Sequence, residues 1–394
     1  MTITRRAGLI GTAMLPLIAR RAAAQNAPIK LGLLVPLSGA GGPYGPHQAS
    51  AVRGVADAVN AAGGVLGRRV EVVVEDDQTN PEAAVRAARK LIDVDRVAAI
   101  MGTWASSVTT AVAPLCWESR TMLCTVSGAD SITQLPHQGY LIRTQPNTLL
   151  QGRKFGEYLL RLNAKRVFVM SPQTPFTQSQ FASMKAALER GGAVAELLIY
   201  DDKKPTLRSE VDQALRYRPD AIVAAGYTPD TAILLRDLAR ASFSKPIVGY
   251  GYAINQRLIE SLPAEIVEGV YALSPSPAEG SPAFARVVAA TGQAVPDTYA
   301  CQTYDHVNLV LLAMAAANDF TGTAVKDNVR RISQGGGTAV SSAVEGLPLL
   351  AAGTKIDYDG ASGPCDFTDI GDITDVKFRY EQVKSGRITL LEIA

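Results

Sequence analysis

The chain has 394 residues and a net charge of +2, and its four cysteines form no CxxC pair. That length exceeds what one hydrophobic core normally supports and predicts two lobes. The absence of a basic cluster excludes a nucleic-acid partner, and the cysteine spacing excludes zinc-ribbon and thioredoxin-type chemistry.

The N-terminus opens with Thr4-Arg5-Arg6, continues with an apolar stretch over 7–19 and ends in Ala22-Ala23-Ala24. The stretch suits a cleavable signal and is too short for a permanent span. Arg5-Arg6, the interruptions at Gly8, Gly11 and Pro16, and the basic pair Arg20-Arg21 resemble a twin-arginine signal, with an ordinary secretory signal as the alternative. Removing residues 1–24 takes away four arginines and no acid, leaving 35 basic against 37 acidic residues and a net charge of −2. No cysteine follows the apolar segment to carry a lipid anchor, and no other apolar run reaches membrane length, so an exported, periplasmic protein with no membrane span is expected.

From residue 29 onward, short aliphatic runs alternate with amphipathic stretches of helix length, the pattern of a parallel α/β sheet. Strands are predicted over 30–35, 70–75, 97–101 and 122–126, with helices over 48–60, 81–93 and 106–118 between them. A second series gives strands at 167–170, 193–200, 221–225 and 247–249 and helices at 149–162, 178–190, 207–217 and 231–241. The Pro- and Ser-rich segment 271–282 reads as a crossover, followed by helices at 282–290 and 303–317 and a hairpin of 378–384 with 388–393 around Ser385-Gly386. The fold class is therefore α/β, with two doubly wound parallel-sheet lobes. Cys116 ends one predicted helix and Cys124 lies in the next strand, so a local disulfide and buried free thiols both fit.

Catalytic machinery is not visible. Gly39 to Gly45 follows the first strand as a dinucleotide loop would, but Pro43 and Pro46 remove N–H groups that a pyrophosphate needs, and Glu75-Asp76-Asp77 lies beyond the usual spacing. There is no GxSxG or HExxH motif, and His47, His137 and His306 are isolated from one another in sequence. The reading is a non-enzyme without cofactor or metal. What stands out instead is polar chemistry at strand ends, where open α/β sheets bind ligands. The strand at 97–101 runs into Gly102-Thr103-Trp104-Ala105-Ser106-Ser107, and that at 122–126 into Ser127-Gly128-Ala129-Asp130. Hydroxyls and N–H groups at a helix start form a natural carboxylate site.

Val35-Pro36-Leu37-Ser38-Gly39, Ala61-Ala62-Gly63-Gly64-Val65, Glu75-Asp76-Asp77-Gln78, residues 102–107, Tyr140-Leu141-Ile142-Arg143-Thr144, Tyr304-Asp305 and Asp357-Tyr358-Asp359-Gly360 occur in an order and spacing that together are specific. In these segments the chain resembles the leucine/isoleucine/valine-binding family of type I periplasmic binding proteins. The resemblance implies two lobes joined by three crossovers, lobe I from 25–147 and 276–373, lobe II from 148–275 and 374–394, closing as a hinge. It implies a small carboxylate ligand held by Ser106 and the turn Ser127-Gly128-Ala129, with aromatic walls from Tyr44, Phe176, Tyr227 and Tyr304; the residues themselves add Trp104 and Ala105 of the first turn and Tyr252 as candidate ligand contacts. It also implies a monomer that serves the permease subunits of an ABC transporter. A ligand sensor of the same fold is the alternative. Ala129 and Phe176 stand where the family often has hydroxyl-bearing residues. Tyr250-Gly251-Tyr252 stands where its amino-acid binders place an acid for the ammonium. The alanine removes one side-chain hydrogen bond to a carboxylate, while the missing acid favours a carboxylate without an α-ammonium and the aromatic walls with Trp104 favour a planar or aromatic body; an amino acid is the alternative, with Asp130, Asp230 or Asp305 as its counter-charge.

Overall fold

The computed structural model describes residues 27–394, so the expected export signal at 1–24 lies outside the described residues. The chain begins with β1 (Ile29–Val35), α1 (Gly45–Ala61), β2 (Val70–Asp76), α2 (Pro81–Arg89), β3 (Ala99–Gly102), α3 (Ser106–Glu118), β4 (Met122–Thr125) and β5 (Leu141–Arg143). These strands form a five-stranded sheet in the order β2-β1-β3-β4-β5, every pair parallel. Successive side chains of a strand point to opposite faces. Leu31, Leu33, Met101 and Cys124 accordingly enter one apolar layer, while Leu34, Ile100 and Leu123 enter the layer beneath α3.

The second lobe starts with α4 (Thr148–Arg161), β6 (Arg166–Pro172), α5 (Pro175–Arg190), β7 (Val194–Tyr200), α6 (Arg208–Arg216), β8 (Ala221–Ala224), α7 (Thr228–Arg240) and β9 (Ile247–Tyr250). Two short helices, α8 (Gln256–Glu260) and α9 (Ala264–Val267), lead to β10 (Tyr271–Pro275). The expected crossover over 271–282 is therefore corrected: its first five residues are a strand, parallel to β9, and only the remainder leaves the sheet. Pro275 closes that strand, where its missing N–H matters least.

The chain returns to the first lobe as α10 (Pro282–Thr291), α11 (Thr298–Ala317), α12 (Gly322–Ser333), β11 (Thr338–Val340), α13 (Ala343–Ala351) and β12 (Ile356–Tyr358), then ends in the second as the hairpin β13 (Phe378–Lys384) and β14 (Arg387–Ile393). The second sheet runs β14-β13-β10-β9-β8-β6-β7, with only the hairpin strands antiparallel. Three segments cross between the sheets, and they are tied to one another. Arg143, fully buried, donates from Nε to Asp372 Oδ1 (2.6 Å), and its backbone N–H reaches Gly371 O (2.9 Å). The Ser276 N–H donates to Lys377 O at 2.7 Å.

Two buried polar anchors fasten α11. Asp305 accepts from Tyr358 Oη (2.9 Å), Ala361 N (2.7 Å), Ser362 N (2.9 Å) and the Ser362 hydroxyl. Burial still pushes its carboxyl up to about 6. His306 bonds Thr144 Oγ1 through Nε2 at 2.8 Å, and burial lowers its pKa to about 3. All four cysteines are free and buried. A Cys116–Cys124 bridge is not formed because Cys124 points into the layer opposite the one that holds Cys116.

Candidate ligand-binding cleft

The C-terminal ends of β3, β4 and β5 face the corresponding ends of β6, β8 and β9, and between them lies a narrow cavity. Its first-lobe wall comes from Trp104, Ala105, Ser106, Val126, Gly128, Gln145 and Tyr299. Pro172, Thr174, Phe176, Ala225, Gly226, Tyr227 and Tyr252 form the second-lobe wall. No residue of this lining is ionisable as an acid or base near neutral pH, since burial raises the phenols of Tyr227, Tyr252 and Tyr299.

The first wall rests on a tight turn. Gly102 and Thr103 both adopt positive φ (98° and 49°), and a Cβ on Gly102 would lie 2.6 Å from Leu34 O. That turn delivers the chain into α3 with Ala105 as N-cap, whose methyl cannot accept the first helical N–H groups. Ser106 is thus the first helical residue and not the cap. Its hydroxyl oxygen accepts the Ala129 N–H at 3.2 Å, joining the two turns at the point where an anion would meet both. A carboxylate between them would find hydroxyl and backbone donors without displacing any acid.

Beneath these groups four hydroxyls lock the turns together. Ser127 Oγ donates to Thr103 O (2.6 Å) and contacts Thr109 Oγ1 (2.5 Å), Thr103 Oγ1 donates to Thr125 Oγ1 (2.8 Å), and Thr125 Oγ1 to Thr103 O (2.8 Å). Arg143 Nη1 adds a bond to Ala129 O at 2.7 Å.

Of the residues expected at the site, Trp104, Ala105, Ser106, Gly128, Phe176, Tyr227 and Tyr252 line the cavity. Ser127 and Ala129 do not: the hydroxyl of Ser127 is engaged inside the lobe, and Ala129 is fully buried behind Ser106. Tyr44 stands behind Trp104, stacked on it with centroids 5.6 Å apart, and its hydroxyl donates across the cleft to Tyr252 O at 2.6 Å. Tyr304 is a correction. It lies in the first-lobe core with its hydroxyl on Ser341 O (2.9 Å), and Tyr299 of the same helix takes the wall position.

Gln145, Thr174 and Gly226 carry no motif and were not expected. Thr174 was findable as the hydroxyl preceding Pro175, since it caps α5 by accepting the Thr177 N–H.

The rings form one continuous group. Trp104 lies 5.6 Å from Tyr227 and 5.7 Å from both Tyr252 and Tyr299, while Tyr250 stacks on Tyr252 at 5.1 Å. Gly128 permits Phe176 to close against the carboxylate turn, because a Cβ there would lie 2.7 Å from its ring.

Acids near the cleft have partners of their own, except that the buried Oδ2 of Asp77 has none among the described residues. Asp230 accepts from Tyr200 Oη (2.6 Å) and Tyr227 N (3.0 Å), and burial pushes its carboxyl up to about 6. Asp130 accepts from Ser179 Oγ (2.6 Å) and Leu149 N (3.1 Å). Asp77, pushed up to about 7 by burial, accepts the Thr79 N–H at 2.7 Å.

The family model described as "Periplasmic binding protein" matches residues 28–374 of the chain. The Leu/Ile/Val-binding protein BraC3 of Rhizobium johnstonii is 23% identical over 374 residues, 93% of this chain and 95% of the relative. The leucine-binding protein LivK of Thermotoga maritima superposes with a TM-score of 0.79 at 22% identity, covering 93% of this chain and 98% of that one. A solute-binding protein of an R. palustris ABC transporter, solved with 4-hydroxybenzoate, gives a TM-score of 0.74 at 16% identity over 94% and 97%. With its two parallel-sheet lobes and a cleft at their facing strand ends, the chain belongs to the periplasmic binding protein family and has the type I fold.

Proposed function

We propose that this protein is an exported, non-catalytic solute-binding component of an ABC-type importer whose ligand is a small carboxylate with a planar or aromatic body and no α-ammonium. One observation carries the reading: the cavity lining joins a hydroxyl-and-amide turn at Ser106 and Gly128 to the rings of Trp104, Phe176, Tyr227, Tyr252 and Tyr299 without a single charged side chain. A carboxylate would be met by donors at a helix start. An ammonium would lose its water and gain only neutral acceptors, a cost of several kcal/mol that cation–π contacts of about 2 kcal/mol do not offset. The 4-hydroxybenzoate complex of the R. palustris protein is a precedent for such a ligand on this fold. The division into 25–147 with 276–373 and 148–275 with 374–394 gives closure a hinge in the three tied crossovers.

Calorimetric titration with matched pairs, leucine against 4-methylpentanoate and phenylalanine against phenylpropanoate, tests the ligand class. The expected result is at least tenfold tighter binding, about 1.4 kcal/mol, of the acid that lacks the amine. Tighter binding of the amino acids would refute it and would point to Asp77 or Asp230 as the missing counter-charge.

A further inference from the structure

Gln145 is 3% exposed, lines the cavity, and sits just past β5 on the first crossover. Its Oε1 accepts a hydrogen bond from Gln302 Nε2 of α11 at 2.7 Å. Gln302 is itself 1% exposed and its Nε2 also lies 3.4 Å from Thr298 Oγ1, one turn earlier on the same helix. With Oε1 taken by Gln302, the N–H2 of Gln145 has no hydrogen-bond partner among the described residues, and because Gln145 lines the cavity that group is available to a ligand; the buried Gln302 Oε1 is likewise without a partner among the described residues. A buried amide held in this way is costly to leave unpaired and discriminates by what it meets.

The place of this amide relative to the carboxylate turn follows from the sheet. β3, β4 and β5 are successive neighbours, with Ser106 beyond the first, Gly128 beyond the second and Gln145 beyond the third. Parallel strands lie about 4.8 Å apart, so the outer two polar groups are separated by roughly 10 Å along the wall. After a hydrogen bond of about 2.8 Å at each end, roughly 4–5 Å remains, close to the separation between a carboxylate oxygen and a ring oxygen meta to it.

Resting on the aromatic-acid reading above, we infer that Gln145 is a specificity-determining residue that donates to an acceptor oxygen on the ring of the ligand, meta to the carboxylate, and that Gln302 positions it. The ligand class is thereby narrowed to oxygen-substituted ring acids.

Calorimetry on the purified protein with 3-methoxybenzoate, 3-methylbenzoate and 3-aminobenzoate reads this directly. Methoxy and methyl differ in the acceptor and keep the acid and the ring. The methoxy acid should bind about three- to tenfold tighter than its methyl counterpart, the range for one neutral hydrogen bond. That ratio should fall to about one in Gln145→Leu and to an intermediate value in Gln302→Leu, whose effect on packing alone would weaken both ligands equally. A wild-type ratio of one, a ratio that survives in Gln145→Leu, or a preference for 3-aminobenzoate over 3-methoxybenzoate overturns the inference while the aromatic-acid reading stands. If no ring acid binds, both fall together.

Discussion

The two walls of the cleft are built from different materials. On the first lobe the rings of Trp104 and Tyr299 share the wall with a serine hydroxyl, the Gly128 turn and one glutamine, and the polar groups are held by the hydroxyl lattice of Thr103, Thr109, Thr125 and Ser127 and by the buried guanidinium of Arg143. On the second lobe the wall carries the rings of Phe176, Tyr227 and Tyr252, packed on one another and on Tyr250. For the carboxylate proposed above, charge would be met by a turn of fixed backbone, which tolerates little change, and shape by side chains, which can be exchanged singly.

The strongest way to break this division is to remove the support of the first wall. Arg143→Ala leaves Asp372 and the Ala129 carbonyl without their partner, and a loss of about 3–5 kcal/mol in unfolding free energy is expected by denaturant titration. A loss below about 1 kcal/mol would mean that the hydroxyl lattice alone holds the turn. Ser106→Ala acts on recognition without that support: affinity for the carboxylate ligand should fall by about 1.5–3 kcal/mol, the range for a hydrogen bond to a charged group. Unchanged affinity in calorimetry would remove Ser106 from the site.

The attachment of α11 to the first crossover should be sensitive to acid. The His306 pKa is depressed to about 3 in the folded state, so its contribution to stability is complete above pH 6.5 and declines as pH falls toward 3. Asp77, Asp230 and Asp305, raised to between about 6 and 7, act oppositely and favour the fold as they protonate. The difference between wild type and His306→Gln isolates the histidine. Wild type should lose up to about 1.4 kcal/mol per pH unit relative to the variant between pH 6 and pH 4. Parallel stability curves would contradict a neutral buried imidazole.

The smallest effect belongs to the ring wall. Tyr227→Leu should weaken binding of a ring acid by about 0.5–1.5 kcal/mol more than that of an aliphatic acid of similar size, the increment for one aromatic pair. Equal losses for both ligands would mean that Tyr227 acts as bulk and not as a ring.

Much of this architecture is legible in the sequence. Alternating aliphatic and amphipathic runs locate the main strands, because a strand buried between helices needs a nearly continuous apolar sequence. The start of α3 at Ser106 is equally local, since Gly102 must turn the chain there. What was not legible depends on distant partners. Tyr299 and Tyr304 are five residues apart on α11, roughly 140° around the helix at 3.6 residues per turn. That helix is buried on nearly every side, so its pattern gives no sign of which tyrosine meets the cleft. Ser127 looks like a donor until Thr109, on another element, is found engaging it. Gln145 is silent in sequence because its role comes from Gln302, 157 positions later. The helix α12 was missed although Thr321, which accepts the Ala324 N–H, marks its start.

The free thiols supply a ready means of watching one lobe alone. Cys116, Cys124, Cys301 and Cys365 all lie in the two apolar layers that flank the first sheet, and the chain has no other cysteine. Burial pushes the Cys116 thiol up to about 12 and raises the other three, so a labelling reagent must wait for the native layers to open. The rate of thiol modification under native conditions therefore measures the opening free energy of the first lobe, with the second lobe invisible to the reagent. A carboxylate bound at the Ser106 turn would slow that rate only insofar as it stabilises the lobe that holds the turn, which turns the division between the two walls into a kinetic observable.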